Sequence, residues 1–226
     1  MDWLLCMLTK WQPLSIFISA IAAIAIAFIA IYQDKLRAYV FSPKLDLDQG
    51  PFYPDSVRVP LTDNADNFLA NACYLQIRIK DKRATAEKVE VFVAKIEKEI
   101  NGIFHRVDSF YPLNLKWRHY NTVFLDRLSP ETSRDCTLGR IVEPANKQLV
   151  GDDHPSLNLS SNRSPFRLEL ATVPNTRSDL LAPGKYRLYL EIGASNARHP
   201  QKRTIELEFN GEWLQEMKDM VVARTI

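Results

Sequence analysis

Cys73-Tyr-Leu-Gln-Ile-Arg-Ile-Lys80 is the stretch that decides the fold. Cys73, Leu75, Ile77 and Ile79 alternate with Tyr74, Gln76, Arg78 and Lys80. A period of two puts one set of side chains in a core and the other in solvent, which is a half-buried β-strand. Outward from it, Asp81 to Thr85 is a polar turn, and Val89, Val91 and Val93 resume the alternation towards Ile100. Asn101-Gly102 then gives a strong hairpin signal, because both residues tolerate positive φ, with Ile103 to Val107 as the returning strand. Upstream, short strands are expected over Lys44 to Asp48 and Ser56 to Leu61, with the turn-rich Asp48 to Pro54 between them. Downstream, strands are expected over Val123 to Leu128, Thr137 to Val142, Phe166 to Val173, Tyr186 to Ile192 and Thr204 to Phe209. Glu143 to Pro165 reads as a long polar connection. Short alternating strands separated by turns imply an all-β antiparallel sandwich. A C-terminal helix is expected over residues 211–222, capped by Asn210, with Trp213, Leu214, Met217, Met220 and Val221 on one apolar stripe that docks on the sandwich.

A different pattern precedes the strands. Leu14 to Ile31 carries no charge, and the uncharged window extends from Trp11 to Gln33. As a helix that window reaches about 34 Å, enough for a hydrocarbon core of about 30 Å. A lone strand in lipid would leave its backbone groups unpaired, so the Ile–Ala alternation at Ile24 to Ala27 is still read as helix. The expected organisation is residues 1–43, holding a transmembrane helix (about 13–33) and a short stalk from Tyr32 to Phe41, followed by a domain at residues 44–226. Lys35, Arg37 and Lys44 follow the apolar run against Asp34, whereas only Asp2 and Lys10 precede it. The positive-inside rule then places the N-terminus outside and the domain in the cytoplasm, at a bacterial inner membrane. Ser15, Ser19, Ala23 and Ala27 recur every four residues and offer a small-residue packing face for self-association.

Composition is that of a folded domain on an anchor, 46% hydrophobic and 25% charged. Three of the 29 basic and two of the 27 acidic residues precede Lys44, leaving 26 against 25. That balance excludes a bulk electrostatic nucleic-acid binder and leaves room for a local patch. Cys6, Cys73 and Cys136 form no paired framework, and Cys73 reads as a small core residue.

Two stretches resemble a known family. Asn71 to Val93, with apolar alternation, a polar turn, a small residue and then Val-x-Val, resembles the strand–turn–strand of CARDB-type and related immunoglobulin-like adhesion modules. Leu181-Ala-Pro-Gly-Lys-Tyr186 is similar to their corner before a late strand, where a tyrosine hydroxyl bonds back to nearby backbone. The resemblance implies an immunoglobulin-like sandwich acting as a binding or structural module, and it brings no catalytic residue.

Catalytic chemistry is not legible. The chain has seven glycines and no phosphate-cradling loop, no G-x-S-x-G elbow and no H-E-x-x-H. Asp152-Asp153-His154 is the best metal candidate, but it reads more simply as a solvated turn lacking a second ligand cluster. His119, Asp126 and Ser129 have no spacing that makes a triad, and Asp135 beside Cys136 would raise its thiol pKa. No enzyme, cofactor or metal is expected. Two basic segments stand out: Lys116-Trp117-Arg118, continuing into His119-Tyr120, and Arg198-His-Pro-Gln-Lys202-Arg203 in a loop between the last two strands. Brought to one end of the sandwich, they would bind a nucleotide or anionic lipid; otherwise each is a solvated loop with a packed Trp117. The expected function is a non-catalytic, membrane-anchored recognition module with membrane lipid and a protein partner. The alternative is a ligand-regulated effector whose helices oligomerise to breach the bilayer, a layout that resembles membrane effectors of bacterial defence systems.

Overall fold

The alternation at Cys73–Lys80 is realised within β3 (Phe68–Asp81), where Cys73, Leu75, Ile77 and Ile79 are buried. A computed structural model of the chain describes residues 17–30, 32–33, 41–52, 58–118 and 122–226. The chain divides into two compact units, Met1–Ser42 and Pro43–Ile226.

In the second unit, one sheet holds β1 (Leu45–Phe52), β2 (Val59–Thr62), β3, β7 (Lys116–Trp117), β9 (Ser133–Val142), β10 (Phe166–Leu168) and β11 (Leu180–Leu181). Its order is β1-β3-β9-β10-β11, with β2 beside β3 and β7 beside β9. The other sheet holds β4 (Ala86–Ile100), β5 (Ile103–Arg106), β6 (Leu113–Asn114), β8 (Leu125–Leu128), β12 (Gly184–Gly193), β13 (Gln201–Phe209) and β14 (Val221–Thr225), in the order β14-β13-β12-β4-β5. The short strands β8, β6 and β5 pair in turn with one edge of β4, at Ala86–Val89, Phe92–Val93 and Glu97–Ile100. All these pairings are antiparallel, and one core fills the space between the sheets, drawing Ile77, Leu138, Val91, Leu188 and Ile205 from the central strands. The expected all-β sandwich is therefore the fold.

Several local expectations hold. Asn101 (φ 54°) and Gly102 (φ 82°) form the tight turn between β4 and β5. Tyr186 opens β12 with its hydroxyl donating to the Ala182 carbonyl at 2.7 Å, which pins the corner before the strand. Others are corrected. The helix expected over residues 211–222 is a single turn, α2 (Met217–Met220), and Val221–Thr225 is edge strand β14. Gly211 at φ 82° turns the chain out of helical space, and an added Cβ there would meet Ser164 O at 3.0 Å. The β-branched Val221 and Val222 then pair with the open edge of β13, from Phe209↔Val221 to Ile205↔Thr225. The turn-rich Asp48–Pro54 is largely strand: β1 runs to Phe52 and absorbs Gly50-Pro51 through two register irregularities. The strand expected over Phe166–Val173 stops at Leu168, with Leu170 in an isolated bridge to Leu115.

In the first unit residues 17–30, here α1, are helical, as are residues 32–33. Ile18, Ile21, Ile24, Ile26, Phe28 and Ile29 are each more than half exposed. Among the described residues no helix is long and apolar enough to cross a membrane. The expected span of about 13–33 and the stalk both include positions outside the described residues, as does Ser15; Ser19, Ala23 and Ala27 lie on α1.

Candidate functional site

The first basic segment lies where the chain changes sheets. Leu113–Asn114 pairs with β4, Leu115 is fully buried, and Lys116–Trp117 pairs with β9 in the opposite sheet. That crossing carries the Trp117 ring inward, leaving it 1% exposed with Nε1 donating to Val89 O at 3.2 Å. The ring is core, not an open stacking platform. Arg118 donates to Gln76 Oε1 at 3.0 Å and lies 3.6 Å from Asp135, whose carboxylate also takes two hydrogen bonds from Arg78, at 2.7 and 3.3 Å. His119 and Tyr120 lie outside the described residues.

The second basic segment is part loop and part strand. Arg198 is exposed in the connection after β12, whereas Lys202 and Arg203 belong to β13. Lys202 sits 3.3 Å from Glu191 on β12, and Arg203 pairs with Asp46 on β1, which also holds Lys82 at 2.7 Å. Burial pushes the Asp46 carboxyl up, but Lys82 and Arg203 outweigh it and hold the group below its ordinary value. The two segments do not meet on one surface. Arg118 follows β7 beside β9, Arg203 lies against β1, and β3 stands between β1 and β9.

The densest charge among the described residues of the domain lies elsewhere, on the outer side of the first sheet, and sequence reasoning did not find it. Arg140 on β9 and Arg167 on β10 are register partners, a like-charge pair that is unfavourable unless an anion separates them. Asp152 supplies the anion: Oδ1 accepts from Arg167 at 2.6 Å and Oδ2 from Arg140 at 3.2 Å. Glu169 lies 2.8 Å from Arg140, and Asp179 lies 3.3 Å from Arg167 and 3.5 Å from Arg177. Asp152 and Asp179 are almost wholly buried, so removing either would strand guanidinium charge in a poorly solvated layer. Tyr74 is a register partner of Arg140, and burial pushes its phenol up. The stretch expected to be a solvated connection is thereby folded down as a cap. Buried Lys147 fastens it further, donating to Ser160 O at 3.1 Å and Arg163 O at 2.9 Å. The outward-pointing arginines on successive strands were the available signal.

This arrangement also disposes of the Asp152-Asp153-His154 grouping. Asp152 faces the arginines, Asp153 accepts from Gln148 at 3.1 Å, and His154 Nδ1 pairs with Ser156 Oγ at 2.6 Å. Among the described residues no group of three or more His, Cys, Asp or Glu is placed to hold a metal. Cys73 and Cys136 are both buried and free. Burial and then the Asp135 charge push the Cys136 thiol far up, which removes its nucleophilic form.

Two surface features remain at opposite ends of the domain. Lys44 O accepts from Lys82 N at 3.1 Å, so the chain enters β1 beside the β3–β4 turn. Asp81 is the joint of this proximal end. Its Oδ1 accepts from the amides of Lys44 and Arg83 at 3.2 and 3.1 Å, and its carbonyl accepts from Glu131 N at 2.8 Å. β4 climbs from this end for roughly 45 Å and turns at Asn101-Gly102. There Ile100 is 50% and Ile103 63% exposed. On the flank of the second sheet an open groove of about 330 Å³ is lined by Phe92, Phe124, Pro200, Lys88 and Glu90. Compared with known proteins, the chain matches no family model and no curated protein.

Proposed function

We propose that this chain is a membrane-anchored, non-catalytic recognition module whose domain lies at the inner face of a membrane. The observation that carries the reading is α1, where residues 17–30 are all exposed and uncharged, with isoleucines and phenylalanines over most of the surface and small residues on the remaining face, within an uncharged run from Leu14 to Ile31. Such a helix needs an apolar surround, and a bilayer provides one. Lys35, Arg37 and Lys44 after the run favour a cytoplasmic domain. The immunoglobulin-like reading is supported by the strand order, with β1-β3-β9 facing β4-β12-β13, and by the Tyr186 corner opening β12. Recognition is assigned to the β4–β5 tip, where Ile100 and Ile103 stand at the end farthest from the chain's point of attachment.

The test has two arms. Protease shaving of intact cells should leave the domain uncut until the membrane is opened; digestion from outside would reverse the orientation. A photo-crosslinking residue at position 103 of the full chain should give one discrete heteromeric adduct, lost when Ile100→Lys and Ile103→Lys are combined. Lysine at two exposed tip positions should shift stability by only about 0.5 kcal/mol each. No adduct from position 103 would remove the tip from the recognition surface.

A further inference from the structure

We propose that the proximal end of the sandwich is an electrostatic docking face for the phosphodiester headgroups of an anionic leaflet. This rests on the anchored reading above. Four chain segments converge at this end: Lys44, the β3–β4 turn, the β8–β9 turn and the β12–β13 connection. Hydrogen bonds tie them, from Lys82 N to Lys44 O, from Glu131 N to Asp81 O, and from Asn196 Nδ2 to Thr85 O.

Charge on and beside these segments is unbalanced. Lys44, Arg83, Lys88, Arg127 and Arg134 are exposed and make no ion pair among the described residues. Most nearby carboxylates are already engaged. Asp46 holds Lys82 and Arg203, Glu131 holds Lys80 at 2.8 Å, and Glu191 holds Lys202. Asp81 is buried and turned onto backbone amides. Asp48, Glu87 and Asp126 are the carboxylates exposed without an ion pair among the described residues of this end, three against those five cations. At the distal end exposed Asp63, Asp66, Glu208 and Glu212 stand against exposed Arg106 and Arg163, none in an ion pair among the described residues, so the excess of positive charge lies towards the end where the chain attaches.

The occupant follows from charge complementarity and position along the chain. Residues 32–43 join the apolar run to this end, which is the end of the domain nearest the anchor along the chain. An anionic leaflet concentrates cations within about a Debye length, near 8 Å at physiological salt. Five unpaired cations on and beside three of these segments, the entry, the β3–β4 turn and the β8–β9 turn, meet that field together. The same surface should ignore a zwitterionic leaflet and release its hold in high salt.

The test uses the full chain reconstituted into nanodiscs of phosphatidylcholine, with or without phosphatidylglycerol. Retention in the discs through an alkaline wash is the first readout, and loss of the chain there would sink the anchor itself. With the chain retained, hydrogen exchange is followed at the amides of residues 82–85 and 195–200. Exchange about tenfold slower in the phosphatidylglycerol discs is expected, reversed by high salt, with residues 101–103 unchanged as an internal control. The combined Arg83→Ser, Lys88→Ser, Arg127→Ser and Arg134→Ser variant should exchange alike in both discs. Equal exchange of the wild-type loops in the two discs, or slowing that survives high salt, overturns the proposal. The salt comparison on the wild-type chain decides even where the variant fails to fold.

Discussion

Glu206 shows how a single side chain can be both buried and fully charged. It stands on β13 between Lys185 and Arg187 of β12, at 3.5 and 3.3 Å, and Arg224 of β14, with 6% of its side chain exposed. Arg224's hydrogen bond lowers the carboxyl's pKa, burial opposes it, and Arg187 and Lys185 add to the lowering. A carboxyl depressed in the fold contributes stability that is fully present above its unfolded value of about 4.3 and is lost as pH falls through the lower folded value. Glu206→Gln should therefore destabilise the chain at neutral pH, and the gap from wild type should be narrower at a pH of about 3, below the unfolded value. Urea unfolding at both pH values checks this; a gap unchanged by pH would mean that the charge contributes nothing. Residues like this one are hard to read from sequence. Glu206 appears there as one polar position in an alternating strand, and its partners come from strands on both sides.

Among the elements, strands were legible where alternation was strict and illegible where tertiary pairing overrode local preference. The alternation of Tyr186, Leu188, Leu190 and Ile192 specified β12 because the strand is buried on one face along its whole length. Residues 211–222 carried a helical stripe, yet only one turn formed, because β13 had an open edge and the chain turned at Gly211. The basic segments show the same limit. Lys116-Trp117-Arg118 reads as an exposed recognition loop until the sheet change at Leu115 buries the ring. Two glycines separate local from tertiary causes. At Gly102 a new Cβ meets nothing within 4 Å, so Gly102→Ala should cost only the positive-φ strain, about 1 kcal/mol. At Gly139 a Cβ would lie 2.5 Å from the Arg167 carbonyl and 2.3 Å from the Phe166 ring. Gly139→Ala should then force β9 and β10 apart and cost about 3 kcal/mol. Denaturation midpoints of the two variants compare them directly, and equal losses would contradict the packing at Gly139.

For the molecule as a whole, the sequence announced a sandwich but not its long axis. The order of strands could not be read from periodicity, and with it went the knowledge that the Asn101-Gly102 tip and the Lys44 attachment lie at opposite ends. Nor could the cap over Arg140 and Arg167 be foreseen, since its ion pairs join residues that polar composition alone marks as loop. The placement of Asp81 has a further consequence, a mechanical one. β1 begins at Leu45 opposite Asp81 and runs away from the attachment, antiparallel to β3, as far as Phe52↔Gln76. Tension between residue 44 and residue 101 therefore drags β1 lengthwise along β3. The cross-strand hydrogen bonds lie perpendicular to that pull and share the load at once. Tension between residues 44 and 82, which sit side by side, peels the same strands apart one pair at a time. Single-molecule pulling should find a higher rupture force in the first geometry than in the second, and equal forces would show that β1 is not what bears the strain. A module tethered at one end and gripped at the other would thus hold fast along its axis while remaining easy to open from the side of its tether.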